Sequence, residues 1–286
     1  MKWLLTLTAA LLALIAPRAA HSACTTVSAT TLSFGTYTGL ALTNSTANVT
    51  VNCSTGFAFS VGLNGGAGTV AARIMTSGSA ALAYSLFQNA SHTSNWGNTA
   101  GTDAEPGTGT GSAQPLTVYA TLASLQYPAP GTYTDTILVS ALNSGISTSF
   151  LVSATVVPTC TIAATTLAFG VYYGAPTNEP GSITVTCTAT TSYTVGLNAG
   201  VGSGATVSTR HMTGAVNSAG NVDTLNYGLF RDAADSVNWG NTPGTDTVAG
   251  TGTGGAQTLT VYGQLFGGQF NSPVTYQDII TATVTY

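Results

Sequence analysis

The chain carries one long template twice. Leu32, Phe34, Gly35 and Tyr37 return as Leu167, Phe169, Gly170 and Tyr172. Val49, Val51 and Cys53 return as Ile183, Val185 and Cys187. Arg73 and Met75 return as Arg210 and Met212, the Asn95-Trp96-Gly97-Asn98-Thr99 run as Asn238-Trp239-Gly240-Asn241-Thr242, and Tyr133 with Asp135 as Tyr276 with Asp278. The offset grows from 136 at the first Cys to 143 at the Trp, so insertions fall in loops. A period of this length predicts tandem domains rather than a solenoid.

Each copy reads as all-β. Phe57, Phe59, Val61 and Leu63 alternate with small or polar residues, as do Tyr193, Val195 and Leu197, which suits half-buried strands. Runs rich in Thr, Val, Ile and Tyr are separated by Gly, Asn, Ser and Pro clusters. No sustained helical stripe follows residue 22. The expected fold class is all-β: two tandem immunoglobulin-like β-sandwich domains. The Gly107–Gly111 and Gly250–Gly254 stretches lack the Lys-Ser/Thr ending of a phosphate loop, and read as loops or bulged strand entries.

Composition narrows the function. Of the 286 residues 44% are hydrophobic and only 5% charged, against roughly a quarter charged in an average soluble domain. After residue 22 the only cations are Arg73, Arg210 and Arg231. Such a chain cannot displace the counterions of nucleic acid, so no nucleic-acid partner is expected. Lys2 followed by a short Leu/Ala run and Ala20-His21-Ser22 reads as a secretory signal, residues 1–22, too short for a membrane span. Export to an oxidising compartment favours disulfides, and the simplest pairing is Cys24 with Cys53 and Cys160 with Cys187. A metal site is disfavoured, since no C-x-x-C occurs and only His92 and His211 remain as partners. No cofactor is expected.

The Cys24…Phe34-Gly35-Thr-Tyr37…Cys53 opening, the Asn95-Trp96-Gly97 centre and the Tyr133-Thr-Asp135 strand, each duplicated, resemble the spore coat protein U domain family. The resemblance covers nearly the whole mature chain. It implies the pilin module of archaic chaperone–usher pili, an immunoglobulin-like fold lacking its last strand, which a neighbouring subunit's N-terminal segment supplies. The partners implied are a periplasmic pilus chaperone, an outer-membrane usher, the next pilin subunit, and an abiotic or host surface. The implied destination is the cell surface of a Gram-negative bacterium.

The two copies end differently. After Tyr133–Leu142 and a turn, copy one continues into Phe150, Val152, Ala154 and Val156, an apolar face at period two. No such run follows Tyr276–Tyr286. Residues 23–146 are therefore expected to form a first sandwich completed in cis by 147–157. Residues 158–286 are expected to form a second domain whose groove is open along Ile280, Ala282, Val284 and Tyr286. With one residue before Cys24 in the mature chain, the expectation is a subunit that accepts a donor strand and gives none, which belongs at a fibre tip.

Arg73 with Asp135, and Arg210 with Asp278, are nearly the only charges shared by both copies; they read as paired or hydrogen-bonded charges that lock the sandwich. Trp96 and Trp239 read as packing anchors, with sugar stacking as the alternative. Leu40, Leu42, Val70, Leu125 and Tyr127 lie in uncharged loops that differ from copy two, and are the candidate adhesive residues. Catalysis has little support: no Gly-x-Ser-x-Gly elbow is present, and Asp103, Glu105 and Asp246 sit in Gly/Thr-rich loops. The competing functions are a secreted lectin-like module and, more remotely, a β-sandwich hydrolase.

Overall fold

A computed structural model describes residues 23–216 and 222–286. The expected signal segment, residues 1–22, lies outside the described residues. Every regular element described is a strand. No helix among these residues is long and apolar enough to cross a membrane.

The first domain contains β1 (Cys24–Ala29), β2 (Leu32–Tyr37), β3 (Thr43–Cys53), β4 (Ala58–Leu63), β5 (Arg73–Ser77), β6 (Ala80–Phe87), β7 (Glu105–Thr108), β8 (Ala113–Leu122), β9 (Gly131–Ala141) and β10 (Ile146–Val156). One layer runs β1-β3-β8-β6-β5; the other runs β7-β4-β9-β10-β2. The layers meet where Thr76 of β5 pairs with Thr134 of β9. Period-two alternation sends Val49, Val51, Leu82, Leu86, Val118, Ile137 and Val139 inward, all fully buried.

The strand β10 completes this core. It pairs antiparallel with β9 along its whole length, Ile146 opposite Ala141 through Val156 opposite Gly131. Its other edge pairs parallel with β2, Val152 opposite Leu32 and Val156 opposite Tyr37. Phe150, Val152, Ala154 and Val156 are all buried. At the usual worth of a buried Val or Phe, these side chains contribute about 5–8 kcal/mol.

The second domain contains β11 (Cys160–Ala164), β12 (Thr177–Cys187), β13 (Ser192–Leu197), β14 (Arg210–Val216), β15 (Val222–Phe230), β16 (Val248–Thr251), β17 (Ala256–Leu265) and β18 (Ala282–Thr285). One layer runs β11-β12-β17-β15-β14, matching β1-β3-β8-β6-β5. The other holds only β16-β13-β18. Among the described residues no strand stands in the places of β2 and β10. The segment equivalent to β9 is a strand only over Ala282–Thr285, where β13 pairs with it; residues 276–281 have no ladder partner beyond the single bridge Thr213–Gln277. A strand is a property of pairs, so removing one partner shortens the other.

Disulfides tie the first strand to the second at the same point of each layer, Cys24–Cys53 with S–S 2.01 Å and Cys160–Cys187 with S–S 2.00 Å. The domains stack end to end. Val157–Thr159 connects β10 to β11, and the turn at Thr188–Thr191 meets the end of the first domain, where the Ala189 N–H donates to the Tyr127 carbonyl at 3.0 Å.

Candidate functional site: an open groove in the second domain

The missing strand leaves a cavity of about 1410 Å³. Leu167, Phe169, Met212, Leu225, Tyr276 and Ile280 line it, together with Tyr227 and Asp278. Comparison with the first domain shows what the vacancy does. Leu32, Phe34, Tyr37, Met75, Tyr133 and Ile137 are buried there. Their counterparts Leu167, Phe169, Tyr172, Met212, Tyr276 and Ile280 are all half-buried. The residue types are the same; only the covering strand differs. Half-exposed apolar side chains beside an unpaired strand edge are a template for pairing with another chain.

Of the expected edge residues, Ile280 and Ala282 line the groove. Val284 packs against the core of the second domain, paired with Val195 of β13. Tyr286 is a correction: it is exposed and lies past the end of β18, beside Tyr193 and Thr251, away from the groove. It is the last residue of the alternating pattern, but the strand that aims the others inward stops at Thr285.

Arg73, Asp135 and Arg210 are buried and Asp278, beside the open groove, is half-buried; all four are hydrogen-bonded, and among the described residues no ion pair joins Arg73 to Asp135 or Arg210 to Asp278. Arg73 donates to the carbonyls of Asn64 (2.9 Å), Val70 (3.1 Å), Leu63 (3.0 Å) and Trp96 (2.6 Å). Arg210 repeats this on Asn198, Val207, Leu197 and Trp239. Burial lowers both guanidinium pKa values, while the carbonyl acceptors satisfy the cation. Asp135 accepts from the Tyr84 hydroxyl at 2.7 Å and from the N–H groups of Ala67 and Thr136. Asp278 accepts from Tyr227, Val201 and Ile279 in the same way. Desolvation, reinforced by the adjacent carboxylate, raises the pKa of Tyr84 and of Tyr227. Gly66 and Gly200, at φ +60° and +86°, lie so close to these carboxylates that any Cβ would collide with them. Asp135 thus fastens the loop at Ala67 to β9, and Asp278 fastens the loop at Val201 to the segment that borders the groove.

Trp96 and Trp239 are buried, their indole N–H groups donating to the carbonyls of Val61 (2.8 Å) and Val195 (2.9 Å). Neither offers a face to a sugar. Asp103 and Asp246 each accept from a backbone N–H four residues earlier, Thr99 and Thr242. No group of three or more His, Cys, Asp or Glu side chains suited to a metal occurs among the described residues.

The candidate adhesive residues divide. Leu40, Leu42 and Leu125 are exposed and Val70 is half-buried. Tyr127 is a correction: it is only 9% exposed, and its carbonyl is bonded to the second domain. The loops of Leu40 and Leu125, joined by the Leu125 N–H to the Gly39 carbonyl at 2.7 Å, lie at the end of the first domain that faces the second, not at the free end. Strand direction fixes this: β10 ends at Val156 beside Tyr37 and Gly131, and the connector leaves from there.

The spore coat protein U domain model matches residues 8–140 and 146–283. The chain belongs to that family. It is 32% identical over 133 residues to Protein U of Myxococcus xanthus, a match covering 42% of this chain and 72% of that protein. The fold is similar to that in the CsuC–CsuE chaperone–tip adhesion subunit pre-assembly complex from the archaic chaperone–usher Csu pili of Acinetobacter baumannii. That match has TM-score 0.51 at 16% identity, over 92% of this chain and all of that one. A family 123 glycoside hydrolase from Clostridium perfringens matches at TM-score 0.31 and 13% identity over 46% of this chain and 27% of its own, too weak a likeness to bear on function.

Proposed function

We propose that the chain is a non-enzymatic subunit of an archaic chaperone–usher pilus. The observation that carries this reading is the contrast between a first domain filled by β10 and a second domain with the matching groove open. A donor strand from the next pilin fills that groove in the fibre, and a periplasmic chaperone lends one before an outer-membrane usher assembles it. Family membership and the fold shared with a chaperone–tip adhesion subunit complex support the reading. A tip position agrees with the commitment of 146–156 to its own first domain, which leaves that strand unable to serve a neighbour. Attachment to a surface then falls to the first domain, through Leu40, Leu42 and Leu125, which stay exposed although their loops lie at the end beside the second domain, and where apolar contact gains roughly 25 cal/mol per Å².

The test of the groove is a synthetic peptide with the sequence of residues 146–157. It should bind the full chain one to one and raise the melting temperature of the second domain. Ile280→Asp should abolish binding. Failure of the wild-type chain to bind any strand of alternating apolar residues would overturn the reading. For attachment, replacing Leu40, Leu42 and Leu125 together by Ser should remove adhesion to hydrophobic plastic without loss of export; unchanged adhesion would refute that role.

A further inference from the structure

Tyr127 and Phe270 occupy the same place in the repeat. Each follows a Gln whose backbone N–H donates to a tyrosine hydroxyl, Gln126 to Tyr37 at 3.3 Å and Gln269 to Tyr172 at 3.1 Å. Each ring stands over a glycine with positive φ, Gly39 or Gly174. Each loop is tied down by a second tyrosine hydroxyl, Tyr133 on the Ala129 carbonyl and Tyr276 on the Ser272 carbonyl. Yet Tyr127 is 9% exposed and Phe270 is 88% exposed.

What differs is the chain that arrives there. At the first domain, β10 passes through Val157–Thr159 and delivers the disulfide end of the next domain. The Val157 N–H holds the Tyr37 carbonyl, Thr188 bonds back to Thr159, and Ala189 donates to the carbonyl of Tyr127. Gly254 makes the approach possible, since a Cβ there would stand 2.8 Å from that carbonyl oxygen. At the matching end of the second domain, Phe270, Tyr173 and Val171 stand 88%, 87% and 72% exposed. Val171 and Tyr173 take the places of Thr36 and Thr38, so this end is enriched in exposed apolar side chains at the positions flanking Tyr172.

We infer that this end of the second domain is a docking face for the disulfide-end turn of the next domain of the same family, with the seam between the chain's own two domains as its template. The inference rests on the groove reading, because the strand that fills the groove is what delivers the turn. The partner carries, after its donor strand and a connector of about three residues, a Cys-paired first strand. Beside it stands a turn whose N–H meets the Phe270 carbonyl and a glycine at the place of Gly254. The first domain of this chain has such a turn: Gly56 bonds to Gly109 and Gly111 to Cys53, as Thr190 does to Gly252 and Gly254 to Cys187. Thr55 and Gly111 therefore hold the positions of Ala189 and Gly254.

The test uses the full chain with residues 146–159 duplicated directly ahead of Cys24, so that each copy can fill the groove of another. The synthetic 146–157 peptide serves as the control that fills the groove alone. Hydroxyl-radical footprinting should show Phe270 reactive in the free chain and in the peptide complex, and protected to the level of Tyr127 in the polymer. Phe270 and Tyr173 also line the open end of the groove, so replacing both by Ser should weaken the polymer contact roughly tenfold more than it weakens peptide binding, as expected when aromatic anchors of the docking face are lost. Peptide binding with Phe270 still reactive in the polymer, with equal polymer stability in the Ser variant, or with no polymer at all, would overturn the docking face and leave the groove standing. A peptide that does not bind would remove the groove reading itself, and this inference with it.

Discussion

The Arg73 guanidinium donates from Nη2 to the carbonyl oxygen of Trp96 at 2.6 Å, and Arg210 makes the same bond to Trp239 at 2.7 Å. In both domains one cation collects four main-chain oxygens from three segments that no strand ladder connects at that point. The Arg–Trp pair is the clasp between the loop before β5 or β14 and the tryptophan segment.

Removing either guanidinium leaves buried carbonyls without donors, each a cost of about 1–3 kcal/mol before rearrangement. Arg73→Met should destabilise the first domain by about 3 kcal/mol or more, and Arg210→Met the second. Differential scanning calorimetry of the full chain should show one transition move and the other stay. If Arg73→Met lowers both transitions equally, the clasp is not confined to its domain.

The cis strand has its own signature. Phe150→Ala opens a cavity opposite Ile137 and should cost about 3–5 kcal/mol, all of it in the first domain. A fragment covering residues 24–158 should fold, whereas 24–143 should not. Equal melting temperatures for the two fragments would contradict the role of β10.

Alkaline pH should unfold the protein. Burial raises the pKa of Tyr37, Tyr84, Tyr133, Tyr193, Tyr227 and Tyr276 above the ordinary 10.0 of a phenol. Above that pH the unfolded chain sheds phenolic protons that the native chain keeps. The unfolded state then binds fewer protons, and stability falls as pH rises. Arg73 and Arg210, lowered by burial, act with the opposite sign, but six phenols outnumber two guanidiniums. Urea midpoints should hold from about pH 8 up to about pH 10 and decline above it, and Tyr84→Phe with Tyr227→Phe should flatten the decline. A midpoint that stays constant above about pH 10 would show that the phenols ionise without unfolding.

Reduction should separate the domains. Cys24–Cys53 and Cys160–Cys187 close loops of similar length, 29 and 27 residues apart, so each bond is worth about 3–4 kcal/mol by chain entropy. The first domain keeps the burial contributed by β10, and among the described residues no strand does this for the second. Dithiothreitol should therefore melt the second domain first, and the 146–157 peptide should delay that melting. Simultaneous loss of both domains would argue that the groove costs the second domain little.

Much of this architecture is legible in the amino-acid order. The duplicated Phe-Gly-x-Tyr and Asn-Trp-Gly runs mark the two sandwiches, and the extra alternating run after Leu142 marks the strand that completes the first. Three things were not legible. Arg73 and Asp135 recur together, which is compatible with an ion pair or with separate hydrogen bonds; in the structure each is satisfied by groups of its own, and recurrence alone does not choose between the two. Leu40, Leu125 and Tyr127 read alike as variable apolar loop residues. Which end of a sandwich faces its neighbour depends on the direction of the last strand, and side-chain periodicity carries no such direction. The shortness of β18 was hidden because Tyr276–Tyr286 has the alternation of a full strand, and only the absent partner limits it. The exposure of Phe270 had a faint signal in the pairing of its position with Tyr127, whose meaning depends on the seam.

The connector between the domains is only Val157–Thr159, and it leaves directly from the end of β10. Any tension pulling the second domain away from the first therefore loads β10 along its length. Its main-chain bonds to β9 run across that direction from Ile146 to Val156 and share the load, with β2 adding a second ladder over Val152–Val156. Such a strand must slide as a whole before it can leave, so a molecule anchored at one end and dragged from the other would be held by many bonds in parallel rather than opened one at a time.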